Sequence, residues 1–141
     1  MTLHPDRSTA TPAAERFGLA TSTVMVVEDH DFQRRTMLQI LANLGAGALL
    51  EAADGEGALA LVAEGSVPDV VLCDLDMPGL DGVAFLRELV ARGIDAEVVI
   101  VSGLEGPRLA AAERDARAAG VRLRGTIGKP LTARRLLAVL Q

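Results

Sequence analysis

Residues 70–82 read VVLCDLDMPGLDG, and this stretch decides the fold. Its first four residues are all apolar, which is typical of a strand that is covered on both faces in a parallel sheet. An acidic residue, Asp74, follows immediately, and a helical pattern begins at Asp81. A buried strand, an acidic end and a helix in this order predict one unit of an α/β fold.

Two other continuous apolar strands also end in polar side chains. The strand at 24–27 is followed by Glu28 and Asp29, and the strand at 98–101 is followed by Ser102. Because the carboxyl ends of parallel strands meet at one edge of the sheet, these polar groups are expected to lie near Asp74.

The polarity of the strands predicts their order. Two segments are not continuously apolar: 48–52 contains Glu51, and 122–127 alternates between polar and apolar residues. Such segments are typical of edge strands, so the three continuous strands are expected to lie inside the sheet. The fold class is therefore predicted to be α/β, a flavodoxin-like doubly wound five-stranded parallel sheet with strand order 2-1-3-4-5 and helices on both faces. Ligands bind such sheets at the switch point, here between strands 1 and 3.

Helical periodicity fills the intervals between the strands. The five predicted helices cover 31–44, 55–64, 81–92, part of 107–119, and 132–140. A glycine follows each of the first four, as a left-handed helix stop requires. The fourth helix is rich in alanine with Leu109 as its only large apolar residue, so we expect it to hold the sheet least tightly. Asp31 and Asp81 are predicted N-caps.

Length and composition narrow the class of protein. The 141 residues fit one domain, predicted at 23–141 behind a flexible lead-in at 1–22 with one helical turn around 13–17. A net charge of −5 and a near absence of aromatic residues argue against direct nucleic-acid binding. The single Cys73 favours a cytoplasmic location, and no apolar stretch approaches the length of a membrane span or forms a signal peptide.

One basic residue stands apart from the rest. Lys129 is the only lysine among 14 basic residues, and it follows the fifth strand in Gly128-Lys129-Pro130. A chain that otherwise uses arginine is expected to keep a lysine where a compact ammonium is needed. The sequence thus predicts a cation at the same sheet edge as the acidic residues.

These side chains suggest phosphoryl chemistry with a metal. Asp29, Asp74 and a backbone carbonyl, with Glu28 through water, form the all-oxygen set that Mg²⁺ accepts. The Asp74 carboxylate is also a possible nucleophile toward phosphorus, with Ser102 and Lys129 contacting the phosphoryl oxygens.

Taken singly, each feature has a simpler interpretation as a cap, a turn or a loop. Asp81 fits a cap better than a metal ligand, His30 fits a solvated neighbour, and Cys73 fits a small buried hydrophobe. Their joint placement at successive strand ends favours a site.

Four segments together resemble the receiver domain of two-component response regulators: VVED at 26–29, VLCDLDMPGLDG at 71–82, VIVSG at 99–103 and GKP at 128–130. The resemblance covers about residues 23–141. It implies the following roles: phosphoacceptor, Asp74; Mg²⁺ site, Glu28, Asp29, Asp74 and the backbone carbonyl of Asp76; switch hydroxyl, Ser102; phosphate-contacting lysine, Lys129.

The resemblance also implies partners. The phosphoryl donor is expected to be a sensor histidine kinase or a histidine phosphotransfer protein, docked on the first helix and the loop after strand five. An output domain or a separate partner would receive the signal, and a homodimer is an open alternative.

One position departs from the family pattern. The family usually has Tyr or Phe three residues before the lysine, where this chain has Thr126. A small residue there, with the CDLDMPG stretch, is similar to receivers fused to EAL-type cyclic-di-GMP phosphodiesterase domains. Because Thr126 cannot replace the moving aromatic ring, we expect activation to pass through the loop at 103–107 and the fourth helix.

Three other classes remain as alternatives. A haloacid-dehalogenase-like phosphohydrolase would also use Asp74 as nucleophile, but it requires a further acidic pair downstream, and residues 120–141 contain no Asp or Glu. A flavodoxin-like FMN carrier would need a hydroxyl-rich phosphate loop after strand one and aromatic residues beside the flavin, and the sequence shows neither feature there. A degenerate receiver that only binds partners fits poorly with a full set of acidic residues.

Overall fold

The computed structural model of the chain describes residues 18–77 and 79–140. Its five strands pair in parallel in the order 2-1-3-4-5, so the predicted fold class and strand order are confirmed. The strands are β1 Thr23–Val27, β2 Ala48–Ala52, β3 Val70–Cys73, β4 Glu97–Ser102 and β5 Arg122–Gly128.

Five α-helices fill the connections near the predicted places. They are α1 Asp31–Asn43, α2 Gly55–Ala63, α3 Gly82–Ala91, α4 Gly106–Ala118 and α5 Ala133–Leu140. The predicted stop glycines at 45, 65, 93 and 120 all have positive φ, which confirms this part of the prediction. Among the described residues no helix is long and apolar enough to cross a membrane.

The two predicted N-caps have different outcomes. Asp81 caps α3, since its carboxylate accepts a hydrogen bond of 2.9 Å from the Ala84 N–H. The prediction for Asp31 was wrong, because the N-cap of α1 is His30 and Asp31 is the first helical residue. Its carboxylate accepts a hydrogen bond of 2.7 Å from Arg34 instead.

Alternating strand side chains build one core on each face of the sheet. Side chains such as Met25, Val71 and Ile100 pack with α2, α3 and α4, while Val26 and Leu72 pack with α1 and α5. Of the α4 residues only Ala116 is buried. The expectation that α4 is weakly anchored therefore agrees with its packing.

Contacts with the core begin before residue 23, within the segment predicted as a lead-in. Residues Leu19–Thr21 form a 3₁₀ turn, and Leu19 is 1% exposed in the core beside α1. Its carbonyl also accepts a hydrogen bond of 2.7 Å from the Gly47 N–H. Residues 18–22 therefore pack on the domain rather than serving as a flexible lead-in, whereas the helical turn expected at 13–17 lies outside the described residues.

A glycine lets α3 begin directly against the end of β3. A Cβ atom at Gly82 would lie 2.5 Å from the Asp74 carbonyl oxygen and 2.7 Å from the Leu75 Cα. Real Cβ atoms do not approach backbone so closely, so any larger residue would push the loop after Asp74 outward. Gly82 thus helps to set the position of the acidic strand end.

Candidate functional site

Asp74 lies at the centre of the sheet edge, just beyond β3, and is 1% exposed. Its backbone N–H donates to the Val27 carbonyl of β1 at 3.0 Å. Its carboxylate accepts two hydrogen bonds, one of 3.2 Å from the Asp76 N–H and one of 3.0 Å from the Lys129 ammonium. Asp74 is therefore a buried carboxylate, and each of its two oxygens accepts a hydrogen bond from a different donor.

Lys129 reaches this carboxylate from the edge strand. It follows β5, and its N–H donates to the Ser102 carbonyl at 3.0 Å. The side chain extends across the sheet edge, so that Nζ lies 3.0 Å from Asp74 Oδ2 and 2.9 Å from Glu28 Oε1. One ammonium thus joins residues that follow β1, β3 and β5.

The acidic pair follows β1. Glu28 is fully buried, and its Oε2 accepts a hydrogen bond of 3.1 Å from the His30 N–H. The His30 ring is 64% exposed, in agreement with the solvated position predicted for it, but its Nδ1 lies 3.2 Å from Glu28 Oε2 and 3.3 Å from Asp29 Oδ1. The histidine therefore contacts both acids.

Burial and ionic contacts shift the pKa values of these side chains in opposite directions. Burial raises the pKa of Asp74, and the neighbouring Glu28 charge adds to this effect. Burial also acts to raise the pKa of Glu28, but contacts with Lys129 and His30 outweigh it and the pKa is lowered. For Lys129, burial acts to lower the pKa, and the two carboxylates outweigh it, so the pKa is raised and the ammonium stays charged.

The donor set suits a hard divalent cation. Within the described chain, two buried carboxylate oxygens, Glu28 Oε1 and Asp29 Oδ1, make no hydrogen bond, although Glu28 Oε1 is ion-paired with Lys129 at 2.9 Å. The possible ligand atoms of Glu28, Asp29 and His30 lie within 4.8 Å of one another. Asp74 is outside that group and is joined to Glu28 through the Lys129 ammonium. Among the described residues Asp29 Oδ1 has no ammonium beside it, and a buried carboxylate oxygen of this kind is one that Mg²⁺ would satisfy.

Ser102 and Cys73 occupy the positions expected for them. Ser102, at the end of β4, is 1% exposed, and its Oγ accepts a hydrogen bond of 3.0 Å from the Leu104 N–H. A hydroxyl that accepts in this way can still donate its own proton. Cys73 is fully buried and burial raises the pKa of its thiol, which fits the predicted small hydrophobe.

Sequence reasoning missed two side chains. The guanidinium of Arg34 donates to the Glu28 carbonyl at 2.9 Å, to Glu51 at 3.0 Å and to Asp31 at 2.7 Å. Glu113 of α4 accepts a hydrogen bond of 2.6 Å from the Thr126 hydroxyl of β5. Helical spacing could have suggested the Asp31 contact, since the two residues are three apart, but no sequence pattern indicates the others.

Comparison with known proteins assigns the family. The sequence profile of the response regulator receiver domain matches residues 24–141. The chain belongs to this family. The receiver is 35% identical over 117 residues to the cyclic di-GMP phosphodiesterase RocR of Pseudomonas aeruginosa, a match that covers 83% of this chain and 30% of RocR. It is 37% identical over 103 residues to the response regulator GacA of the same species, covering 72% of this chain and 48% of GacA.

Solved structures agree with this assignment. The CheX-CheY-BeF3-Mg+2 complex of Borrelia burgdorferi matches with a TM-score of 0.71 and 28% identity, over 84% of this chain and 85% of that one. The N-terminal domain of a response regulator/sensory box/GGDEF protein of Carboxydothermus hydrogenoformans matches with a TM-score of 0.70 and 27% identity, covering 84% and 90%.

The family assignment supports the receiver interpretation drawn from the sequence. The receiver is a domain of response regulators in two-component signalling, and none of these comparisons favours the phosphohydrolase alternative. The chain spans less than half the length of the two curated relatives described above.

Proposed function

We propose that this receiver takes a phosphoryl group onto Asp74 and changes conformation to control an output domain or a partner protein. The observation that carries the proposal is the buried Asp74 carboxylate, whose Oδ2 lies 3.0 Å from the ammonium of the only lysine. A carboxylate beside an ammonium, at the switch point of a parallel sheet, suits attack on phosphorus.

The transfer step needs little covalent assistance. A carboxylate oxygen of Asp74 attacks the phosphorus of a phosphohistidine or of a small acyl phosphate, and an oxygen–phosphorus bond forms. The bond from phosphorus to the donor breaks, and the leaving group keeps the electron pair. Because a carboxylate nucleophile has no proton to lose, no general base is required, and positioning with charge neutralisation supplies the catalysis.

Lys129 supplies positive charge to the reacting group. In the unphosphorylated receiver its ammonium is shared between Glu28 and Asp74. After transfer, Asp74 becomes an acyl phosphate with its charge further from the strand end, and the flexible lysine side chain can follow a phosphoryl oxygen. A lysine does this as a compact point charge.

Mg²⁺ is the proposed cofactor of the site. The carboxylates of Asp29 and Asp74 and the backbone carbonyl of Asp76 would hold it, with Glu28 acting through water. When bound, the ion neutralises charge on the phosphoryl oxygens. Asp29 Oδ1 supports this assignment, since it is a buried oxygen without a hydrogen bond among the described residues, and the side chain near it, the exposed His30 ring, lies at 3.3 Å.

Ser102 would carry the signal away from Asp74. Its hydroxyl can donate to a phosphoryl oxygen, and its Oγ already accepts from the Leu104 N–H in the loop before α4. A shift of Ser102 therefore pulls on that loop. Because only Ala116 of α4 is buried, the helix is the element that moves most easily.

The partners follow from the same proposal. The donor would be a sensor histidine kinase or a histidine phosphotransfer protein, in the cytoplasm. An EAL-type cyclic-di-GMP phosphodiesterase is the proposed output, fused or separate, because one relative is a cyclic di-GMP phosphodiesterase. The receiver itself would then act as a regulator, and any catalytic turnover would belong to the output domain.

Phosphorylation by acetyl phosphate tests the proposal. We expect intact mass to rise by one phosphoryl group per chain, only with Mg²⁺, and Asp74→Asn to remain unmodified. Asp95→Asn is the matched control, because it makes the same chemical change at a side chain that is 75% exposed and paired with Arg122. Undiminished labelling of Asp74→Asn would overturn the assignment, and steady phosphate release from many phosphoesters would favour the phosphohydrolase.

A further inference from the structure

We infer that Arg34 is a positioning residue for the acidic pair and that it sets the affinity of the receiver for Mg²⁺. The inference rests on the proposed function, which places the ion beside Glu28 and Asp29. Arg34 lies on α1, touches neither acidic side chain of that pair, and is only 14% exposed. Its role is therefore argued through the backbone that it holds.

The guanidinium of Arg34 ties three elements together. Its Nη1 donates to the Glu28 carbonyl beyond β1 at 2.9 Å, its Nε donates to Glu51 of β2 at 3.0 Å, and its Nη2 donates to Asp31 of α1 at 2.7 Å. Only a forked side chain offers donors in three directions from one plane. The two charged acceptors, Glu51 and Asp31, hold the guanidinium in place, and its remaining donor binds the neutral Glu28 carbonyl.

That carbonyl controls the orientation of Asp29. The Glu28 carbonyl and the Asp29 N–H belong to one planar peptide unit, so holding the oxygen sets the direction in which the chain continues to Asp29. The other side of Glu28 is held as well, since its N–H donates to the Ala52 carbonyl of β2 at 3.1 Å. Arg34 thus completes a clamp on the residue before the proposed metal ligand.

Outer partners of this kind tune metal sites. A ligand that is already oriented binds an ion more tightly than one that must be ordered first, and removal of such a partner costs about ten- to a hundredfold in affinity. Asp29 Oδ1 has no hydrogen bond within the described chain, and the side chain beside it, the His30 ring at 3.3 Å, is 64% exposed. The backbone clamp is therefore an important restraint on where this oxygen lies.

Charge and positioning predict opposite results when Arg34 is changed. Removing a cation near a divalent ion lowers repulsion, so a purely electrostatic role predicts tighter binding of Mg²⁺. Loss of the clamp predicts weaker binding. The sign of the change in dissociation constant therefore separates the two roles without reference to stability.

The experiment measures the Mg²⁺ dissociation constant of the unphosphorylated chain by calorimetric titration. We expect Arg34→Gln to bind about tenfold more weakly and to reach the parent rate of acetyl-phosphate labelling once Mg²⁺ is saturating. Arg34→Lys keeps the charge without the fork and is expected to weaken binding as well. Arg35→Gln is the control, because it removes the same charge from an exposed neighbour on α1.

The outcomes are distinguishable from failure of the proposed function. If the parent chain binds no Mg²⁺, the proposed cofactor is wrong. If the parent binds but Arg34→Gln binds equally well or more tightly, Arg34 is not a positioning residue. Should Arg34→Gln fail to fold, as judged by circular dichroism, an unchanged dissociation constant for Arg34→Lys would overturn the inference in its place.

Discussion

The strand ends around Asp74 and the face formed by α4 and β5 are held in different ways. At the strand ends, Glu28, Asp74 and Ser102 are all at most 1% exposed, and Lys129 connects the two acids. On the other face, α4 buries only Ala116, and a side-chain hydrogen bond from Thr126 to Glu113 joins it to β5.

This difference bears on the proposed function, in which the reacting groups and the segment that moves lie in different parts of the domain. Phosphoryl transfer requires reacting groups that are fixed before the donor arrives, because misplacement lowers the rate steeply. A signal requires a segment that can change place at low free-energy cost, and such segments have few buried apolar contacts. Under the proposed function, the first would lie at the centre of the sheet and the second near its edge.

Matched leucine truncations should show the contrast most strongly. Leu72 of β3 is fully buried, so Leu72→Ala is expected to lower the free energy of unfolding by about 3 to 4 kcal/mol. Leu109 of α4 is only partly buried, and Leu109→Ala should cost about 1 kcal/mol. Urea denaturation followed by circular dichroism measures both, and equal losses would contradict a loosely held α4.

Loss of the central ammonium should be the next largest effect. Lys129→Met leaves the buried Glu28 and Asp74 carboxylates without their shared cation, which is destabilising because each charge is then uncompensated. Since the Lys129 side chain is 20% exposed, we expect a loss of about 2 kcal/mol in chelator, below the usual range for fully buried pairs. Arg134→Met, an exposed change on α5, is the control.

Mg²⁺ should stabilise the acidic site and leave the α4 face unaffected. At ten times its dissociation constant the ion is expected to add about 1.4 kcal/mol to the free energy of unfolding, since it binds only the folded chain. Asp29→Asn should lose this response and yet melt above the metal-free parent, because one repelling carboxylate is gone. Identical melting of the parent with Mg²⁺ and with chelator would argue against a metal site.

The smallest expected effect concerns the contact between β5 and α4. Thr126→Val keeps the shape of the side chain and removes the hydrogen bond to Glu113, at a net cost of about 1 kcal/mol or less. We expect faster amide exchange in α4 before activation and a larger share of the chain in the activated form at a given beryllofluoride concentration. This gives Thr126 a role that its small size does not suggest.

Thr36→Val is the matched control for that experiment. Its hydroxyl donates to the Phe32 carbonyl within α1 rather than to a residue of α4. Exchange in α4 should stay at the parent rate in this variant. A Thr126→Val protein whose α4 exchanges like the parent would show that the contact with Glu113 does not restrain the helix.

The sequence predicted the parts of the site that depend on position along a strand. Asp74, Ser102 and Lys129 were assigned because each follows a strand, and parallel strands bring their carboxyl ends to one edge. The capping prediction for Asp31 was wrong because a cap depends on which residue first becomes helical, a boundary that sequence patterns place only within a few residues.

The hydrophobic pattern alone therefore determined the sheet, the order of its strands and the edge that carries the acidic residues. This was possible because the apolar residues within each strand indicate whether one or both of its faces are buried. Only the tertiary structure decided that Lys129 reaches Glu28 as well as Asp74, that Arg34 holds the Glu28 carbonyl, and that Thr126 contacts Glu113. These contacts join residues of different elements, and their geometry depends on strand register and helix packing together, which no local pattern encodes.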